Sequence, residues 1–271
     1  MGDKTAGEDV AISQAINTVL MSRSADLIIG TGDYDGNAVT MAQLLTNLSG
    51  WKFASPGNHD DWTVGVRTEF NANFNGGGYK KISLPFVDIF LYDYYLKMDE
   101  SGYLTLYQAY DVTLAARQAS IQGQWLINGL NNSTAKWKIV VFHNPAWASP
   151  IDYPGNPLDV QFATNMRWDW AALGADLLLY GHFHYYERLL KNTGSGNVPI
   201  ILTGTAGNTL DSYRLSAEPD SLVYFSDHDT ADFGGGHLIE MTISSEQLQI
   251  DLSAIKSDYS IVTGKDQLIL T

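Results

Sequence analysis

Four short apolar runs in this chain each lead to a side chain that can hold a metal ion, and that recurrence constrains the fold more tightly than any other feature. Leu27-Ile28-Ile29 runs into Gly30-Thr31-Gly32-Asp33. Trp51-Lys52-Phe53-Ala54 reaches Asn58-His59-Asp60 after the turn signal Pro56-Gly57. Trp137 to Phe142 ends at His143, and Leu177-Leu178-Leu179-Tyr180 ends at Gly181-His182-Phe183-His184. Runs of this length, bounded by Gly, Pro and Asn, are expected as buried strands. In an α/β sheet the loops leaving the carboxyl ends of parallel strands converge on one edge, where ligands bind. Each residue alone has an ordinary explanation, since Gly-Asp is common in tight turns and a lone His after a strand is more often hydrogen-bonded than a ligand. Together, four of the six His residues of the chain and an Asp fall at strand ends, and the joint reading is a metal site.

The chain has no Cys, so no thiolate nucleophile or Cys-based zinc or iron–sulfur centre is available, and the ligands must come from His, Asp, Glu, Asn or Tyr. A formal charge of −14 disfavours binding to DNA, RNA or an anionic membrane, so no nucleic-acid or membrane partner is expected. An anionic substrate would need positive charge supplied locally. No apolar run reaches the ~18 residues of a membrane span, and Met1-Gly2-Asp3-Lys4 lacks the apolar stretch of a signal peptide. A soluble chain is expected, and a signal removed in maturation would leave no trace, so secretion stays open, as does the oligomeric state.

Helical patterns alternate with the strands. Ile12, Ile16, Val19 and Leu20 share one face of Val10 to Met21, Val39 to Leu48 reads as a second helix, and Trp125, Leu126 and Leu130 share a face of Gln122 to Leu130. Ile82 to Leu84 and Val87 to Tyr94 are expected as strands of a second sheet region. The tail, through Val198 to Leu202, Leu238 to Ile243 and Leu248 to Leu252, reads mostly as strand. Only the glycine turns Gly76 to Gly78 and Gly234 to Gly236 interrupt the pattern, and 271 residues with 45% hydrophobic content are read as one domain, residues 1–271.

Gly32-Asp33, Gly57-Asn58-His59-Asp60, Val140-Val141-Phe142-His143 and Gly181-His182-Phe183-His184-Tyr185-Tyr186-Glu187-Arg188 resemble the motifs of calcineurin-like metallophosphoesterases, and most closely the purple acid phosphatase branch. Gly181 to Arg188 match that branch's Gly-His-x-His-x-Tyr-Glu-Arg in full. Gly2-Asp3 resembles the first ligand motif, and Phe233-Gly234-Gly235-Gly236-His237 the closing turn and strand. The resemblance implies a four-layer αββα sandwich, two mixed β-sheets flanked by helices. It implies two divalent or trivalent metal ions (Fe, Mn or Zn), with Asp33 bridging them, Asn58, His143 and His182 completing one site, and Asp3 and His184 belonging to the other. Two cations so held polarise phosphoryl oxygens and activate a water for in-line attack on phosphorus. His59, beside a ligand, would bind the phosphate or protonate the leaving oxygen, or else orient Asn58.

Two departures from the family pattern stand out. Asp3-Lys4-Thr5 lacks the His or Gly that follows the first Asp in the family, and Gly36 stands where the purple branch has its iron-binding Tyr. The first metal site is therefore expected to be under-liganded. Only Met1 and Gly2 precede Asp3, where the family has a central strand, so the first β-strand is expected to be missing. The implied activity is phosphoester hydrolysis on a phosphorylated small molecule, a phosphomonoester by preference, with a phosphodiesterase or nucleotidase and a degenerate, non-catalytic binding module as alternatives. Trp147, four residues after His143, is a candidate cleft residue. His228 reads as part of a solvated acidic loop, and His237 as structural.

Overall fold

The structure is a computed structural model that describes residues 18–23, 25–33, 51–61, 68, 70, 74, 79–95, 113–149, 164–204, 217–225, 236–256, 258 and 260–271. Its central element is a seven-stranded mixed sheet of order β3-β4-β5-β6-β8-β7-β9. These strands are β3 (Lys80–Ser83), β4 (Val87–Leu91), β5 (Trp137–Val141), β6 (Leu177–Tyr180), β7 (Tyr186–Asn192), β8 (Asn197–Thr203) and β9 (Ser221–Phe225). Neighbours along β4, β5, β6 and β8 run parallel, while β3, β7 and β9 pair antiparallel.

The parallel strands are apolar at nearly every position because both faces of the sheet are covered. Ile89, Ile139, Val141, Leu177, Leu179 and Ile201 point to one face, where they meet Phe53 and Leu248, Ile250, Leu252 and Ala254. The intervening residues Phe90, Val140, Leu178, Tyr180, Ile200 and Leu202 point to the other face and pack on Leu126 and Leu130. The period of two thus divides each strand between two cores. The first face is covered by the parallel pair β1 (Leu27–Gly30) and β2 (Trp51–Ala54) and by the antiparallel sheet β10 (His237–Ile243), β11 (Leu248–Ile255) and β12 (Ile261–Leu270). Outside that layer, Val19 and Leu20 of the helical segment 18–22 cover Ile28, Ala54, Leu238 and Ile255. The second face is covered by α1 (Leu114–Ala119) and α2 (Ile121–Asn132). Helix, sheets, sheet and helix make the four-layer αββα arrangement that the motif resemblance implies. No helix among the described residues is long and apolar enough to cross a membrane.

Several elements differ from expectation for local reasons. β4 stops at Leu91 rather than Tyr94, because the Asp93 side chain accepts from Tyr95 N (3.1 Å) while Asp93 N donates to Gln122 Oε1 (2.7 Å), drawing the chain off the sheet. The short α1 escaped the apolar pattern and is set by capping: Thr113 accepts from Ala116 N, and Ser120 both closes α1 and caps α2 through Gly123 N (2.9 Å). β7 and β12 each have an apolar pattern interrupted by charged residues. They hold each other in place: Tyr186 donates to Asp266 (2.7 Å), and Arg188 grips the same carboxylate with Nε and Nη2 (2.6 and 2.9 Å). Asp3, the helix expected over Val39 to Leu48, His228 and the expectation of a missing first strand lie outside the described residues, as does most of the Val10 to Met21 helix.

Ile139 is fully buried between the seven-stranded sheet and the layer of β2 and β11. Ile139→Ala is expected to cost about 2–4 kcal/mol of stability, the transfer loss plus a cavity that a sheet buried on both faces cannot close. Urea denaturation of the two chains measures it.

Candidate metal centre

The carboxyl ends of β1, β2, β5 and β6 deliver Asp33, Asn58, His143 and His182 to one place. His143 Nε2 lies 3.0 Å from Asn58 Oδ1, 3.2 Å from His182 Nδ1 and 3.3 Å from Asp33 Oδ2, and His182 Nδ1 lies 3.0 Å from Asn58 Oδ1. On its other edge, His143 Nδ1 is 2.8 Å from the carbonyl of Thr31. A carbonyl can only accept, so Nδ1–H donates to it and the other ring nitrogen, Nε2, is the one turned inward to Asn58, His182 and Asp33. A carboxylate, an amide oxygen and the ring nitrogens thus crowd together with their electron-rich atoms facing one another. Donors held about 2.1 Å from a shared cation sit about 3.0–3.4 Å apart, which is the spacing seen here. The residues therefore fit a metal ion. Among the described residues Asp33, His143 and His182 form one group of potential metal ligands, with ligand atoms all within 4.8 Å of one another.

The backbone is bent to make this possible. Asp33 and His182 both adopt positive φ, 55° and 73°, a left-handed conformation that costs an L-residue about 1–2 kcal/mol and persists only where the surroundings enforce it. Asp60 enforces it at Asp33. Its buried Oδ2 accepts from both Asp33 N (2.7 Å) and Gly57 N (2.8 Å), tying the loop after β2 to the loop after β1. In return, Asp33 Oδ1 accepts from His59 N (2.8 Å). The loops approach so closely that a Cβ on Gly57 would lie 2.0 Å from Asp33 Oδ1, and one on Gly32 would lie 2.5 Å from His143 Nδ1. Burial by itself would raise the Asp33 carboxyl. His143, by charge and hydrogen bond, and the charges of His59 and His182 outweigh it and hold the carboxyl well below the usual carboxylate range.

A second line of polar contacts supports His143 from behind. Thr31 Oγ1 donates to the Thr203 carbonyl (3.2 Å) at the end of β8, and Thr203 Oγ1 bonds His237 Nε2 (2.9 Å) at the start of β10. The ring of His143 is thereby held from the opposite sheet, a contact of the kind that orients metal ligands. His237, at the start of β10, is buried, and that burial pushes its imidazole down to about 3.

The other expected site residues have different surroundings. His59 is partly exposed, and its Nε2 lies 3.9 Å from Asp33 Oδ2, beside the group. His184 is half-buried two residues after His182 and is not one of the grouped ligands among the described residues. Trp147 lies four residues after His143 in the loop leaving β5. It is buried, with Arg167 and Lys191 each 5.9 Å from its ring. Asp60 is the functional residue that motif reasoning left without a role, although its place directly after Asn58-His59 was visible.

The family model for calcineurin-like phosphoesterases matches residues 5–186. The chain belongs to this family. Its members are metal-dependent phosphoric ester hydrolases, which accords with the donor set. Among solved structures, the purple acid phosphatase PPD1 of yellow lupin (Lupinus luteus) seeds is similar with a TM-score of 0.67 at 12% identity, covering 97% of this chain and 49% of that one. PhoD is similar with a TM-score of 0.60 at 12% identity, covering 95% and 65%. GAP50, described as the anchor in the inner membrane complex of Plasmodium, gives 0.57 at 12% identity, covering 100% and 85%. These likenesses are of fold, and this chain spans about half the length of the lupin phosphatase. A sequence comparison with curated proteins finds no match.

Two expectations follow for this member of the family. Gly57→Ala drives a methyl group into the Asp33 carboxylate and is expected to weaken Mn(II) or Zn(II) binding at least about tenfold, read by calorimetric titration. In the unfolded chain a His takes up its proton near pH 6.5, whereas His237 in the fold does so only near 3. Between those values the unfolded state binds one more proton, so stability falls as the pH drops, by up to about 1.4 kcal/mol per pH unit from this group. Urea melts from pH 7 to 4 should show a shallower decline for His237→Gln than for the unaltered protein.

Proposed function

We propose that this chain hydrolyses phosphomonoesters of small molecules, in the manner of an acid phosphatase, from a site centred on Asp33, Asn58, His143 and His182. The observation that carries the reading is the convergence of these four residues, with His143 Nδ1 on the Thr31 carbonyl and Nε2 turned towards the other three. Such a cluster supports a metal ion where a chain of net charge −14 otherwise offers an anionic substrate little attraction. When bound, divalent cations supply Lewis-acid polarisation of the phosphoryl oxygens and lower the pKa of a coordinated water.

The protein's own residues do the rest. Asp33, held ionised by its neighbours, supplies the fixed negative charge that would be shared between two ions. Asp3 and His184 would complete the second ion's site, making the centre binuclear. His59, partly exposed beside Asp33, is placed to hydrogen-bond the phosphate or to protonate the leaving oxygen. Residues 1–271 would act as a single catalytic domain. A second reading, a binding module without turnover, is favoured by His184 standing outside the group of ligands among the described residues.

Rates on an aryl phosphate and a bis-aryl phosphate, with Mn, Zn or Fe added, separate these readings. The monoester is expected to turn over faster, and His143→Ala and Asn58→Ala are each expected to lower kcat/KM by at least about 100-fold. Rates in both variants equal to those of the unaltered chain would overturn the enzyme reading, and a preference for the diester would replace the phosphatase with a phosphodiesterase. Two metal ions per purified chain support the binuclear site, whereas one supports a single-ion centre.

A further inference from the structure

We infer that Glu187, with Tyr185, is a positioning residue that fixes the distance between His143 and His182 by gripping Ser149, the far end of the loop that begins at His143. The inference rests on the metal-centre reading above and concerns residues to which that reading gives no role.

Every polar atom of Ser149 is held. Its N–H donates to Glu187 Oε2 (2.8 Å) and its Oγ to Glu187 Oε1 (2.5 Å), while its carbonyl accepts from Tyr185 OH (2.6 Å). Ser149 Oγ also accepts from Glu218 N (2.9 Å). Ser149, Tyr185 and Glu187 are all fully buried. At the near end the same two loops are joined by Gly181 N donating to the His143 carbonyl (3.0 Å). The segments 143–149 and 181–187 therefore form a ring closed at both ends, with one imidazole ligand on each side. Opening the far end would leave the His143 loop to its ties nearer β5, from Tyr95 OH to Asn144 Oδ1 and from Arg167 Nε to the Ala146 carbonyl.

The chemistry of the clamp argues for a specific purpose. A buried carboxylate costs several kcal/mol in desolvation, yet the hydrogen bonds shown for Glu187 come only from neutral Ser149 donors. A carboxylate offers two acceptors in one rigid plane, and these match the N–H and O–H of one serine. The adjacent residues of β7 serve something else: Tyr186 and Arg188 face the opposite side of the sheet and bind Asp266. One strand thus carries a clamp on the metal-site loop and, one residue out of phase, an anchor to β12. The second is a built-in control for the first.

The test titrates the full chain and its variants with Mn(II) or Zn(II) alone at 25 °C, and follows folding by circular dichroism and thermal melting. Glu187→Ala is expected to weaken metal binding about 10- to 100-fold with the fold retained, and Glu187→Gln, which keeps one acceptor, to recover part of the loss. Asp266→Ala is expected to lower Tm with metal affinity unchanged. If Glu187→Ala does not fold, Ser149→Ala decides, since it loses the Oγ contacts but keeps its N–H on Glu187. Unchanged affinity in Glu187→Ala or, where that fails to fold, in Ser149→Ala overturns the inference. So does an Asp266→Ala loss of affinity as large as that of Glu187→Ala, which would mark a general effect of destabilisation. His143→Ala separates the two levels. If it binds metal as the unaltered chain does, the metal-centre reading itself falls. If it loses metal while the Glu187 variants do not, only the clamp is wrong.

Discussion

The hydrogen bond from His143 Nδ1 to the Thr31 carbonyl joins the seven-stranded sheet to the layer facing it, at the candidate metal centre. His143 leaves the seven-stranded sheet, and Thr31 leaves β1 in the facing layer. Their bond does in one contact what packing alone could not, since apolar side chains between the sheets set a separation but no direction. It aims the ring and leaves Nε2 on the side where Asp33, Asn58 and His182 gather. Thr203 and His237 then brace Thr31 from β8 and β10, so that strands of three different sheets meet behind one imidazole.

The strands that carry the grouped ligands were legible in the sequence because each is short, largely apolar apart from Lys52 and Lys138, and ended by Gly, Pro or a polar turn. Asp33, Asn58, His143 and His182 were legible for the same reason, since the end of a buried strand leaves few places for the next side chain to go. What could not be read was anything decided by a polar contact across long sequence distance. β7 and β12 contain charged residues that would normally argue for solvent, and the pairing of Arg188 with Asp266, 78 residues apart, satisfies two of those charges within the sheets. The turn after β4 depends on Gln122 meeting Asp93, and no periodicity records that. Asp60 sits inside a motif that drew attention to its neighbours, yet its task of holding two backbone N–H groups appears only once the loops are side by side.

Strain and support are matched at this centre. Asp33 and His182 occupy the left-handed region and are two of the four residues whose electron-rich atoms converge. Neither conformation would persist in an isolated peptide. Asp60 compensates at Asp33, and the glycine contacts show how little slack remains, since Gly57 and Asp33 are too close for even a methyl group between them. The rigidity of the ligands is therefore distributed over residues that touch no ligand atom.

The alternation along β7 also limits how this chain can change over time. Because Tyr185 and Glu187 face the His143 loop while Tyr186 and Arg188 face β12, a single-residue insertion or deletion between His182 and Glu187 would exchange the two faces. It would turn a carboxylate towards Asp266 and a guanidinium into the space beside Ser149. A substitution along this stretch alters one contact, whereas a change in its length alters both faces at once. The spacing from His182 to Arg188 is thus set by the pleat of the strand as much as by the reach of the histidines.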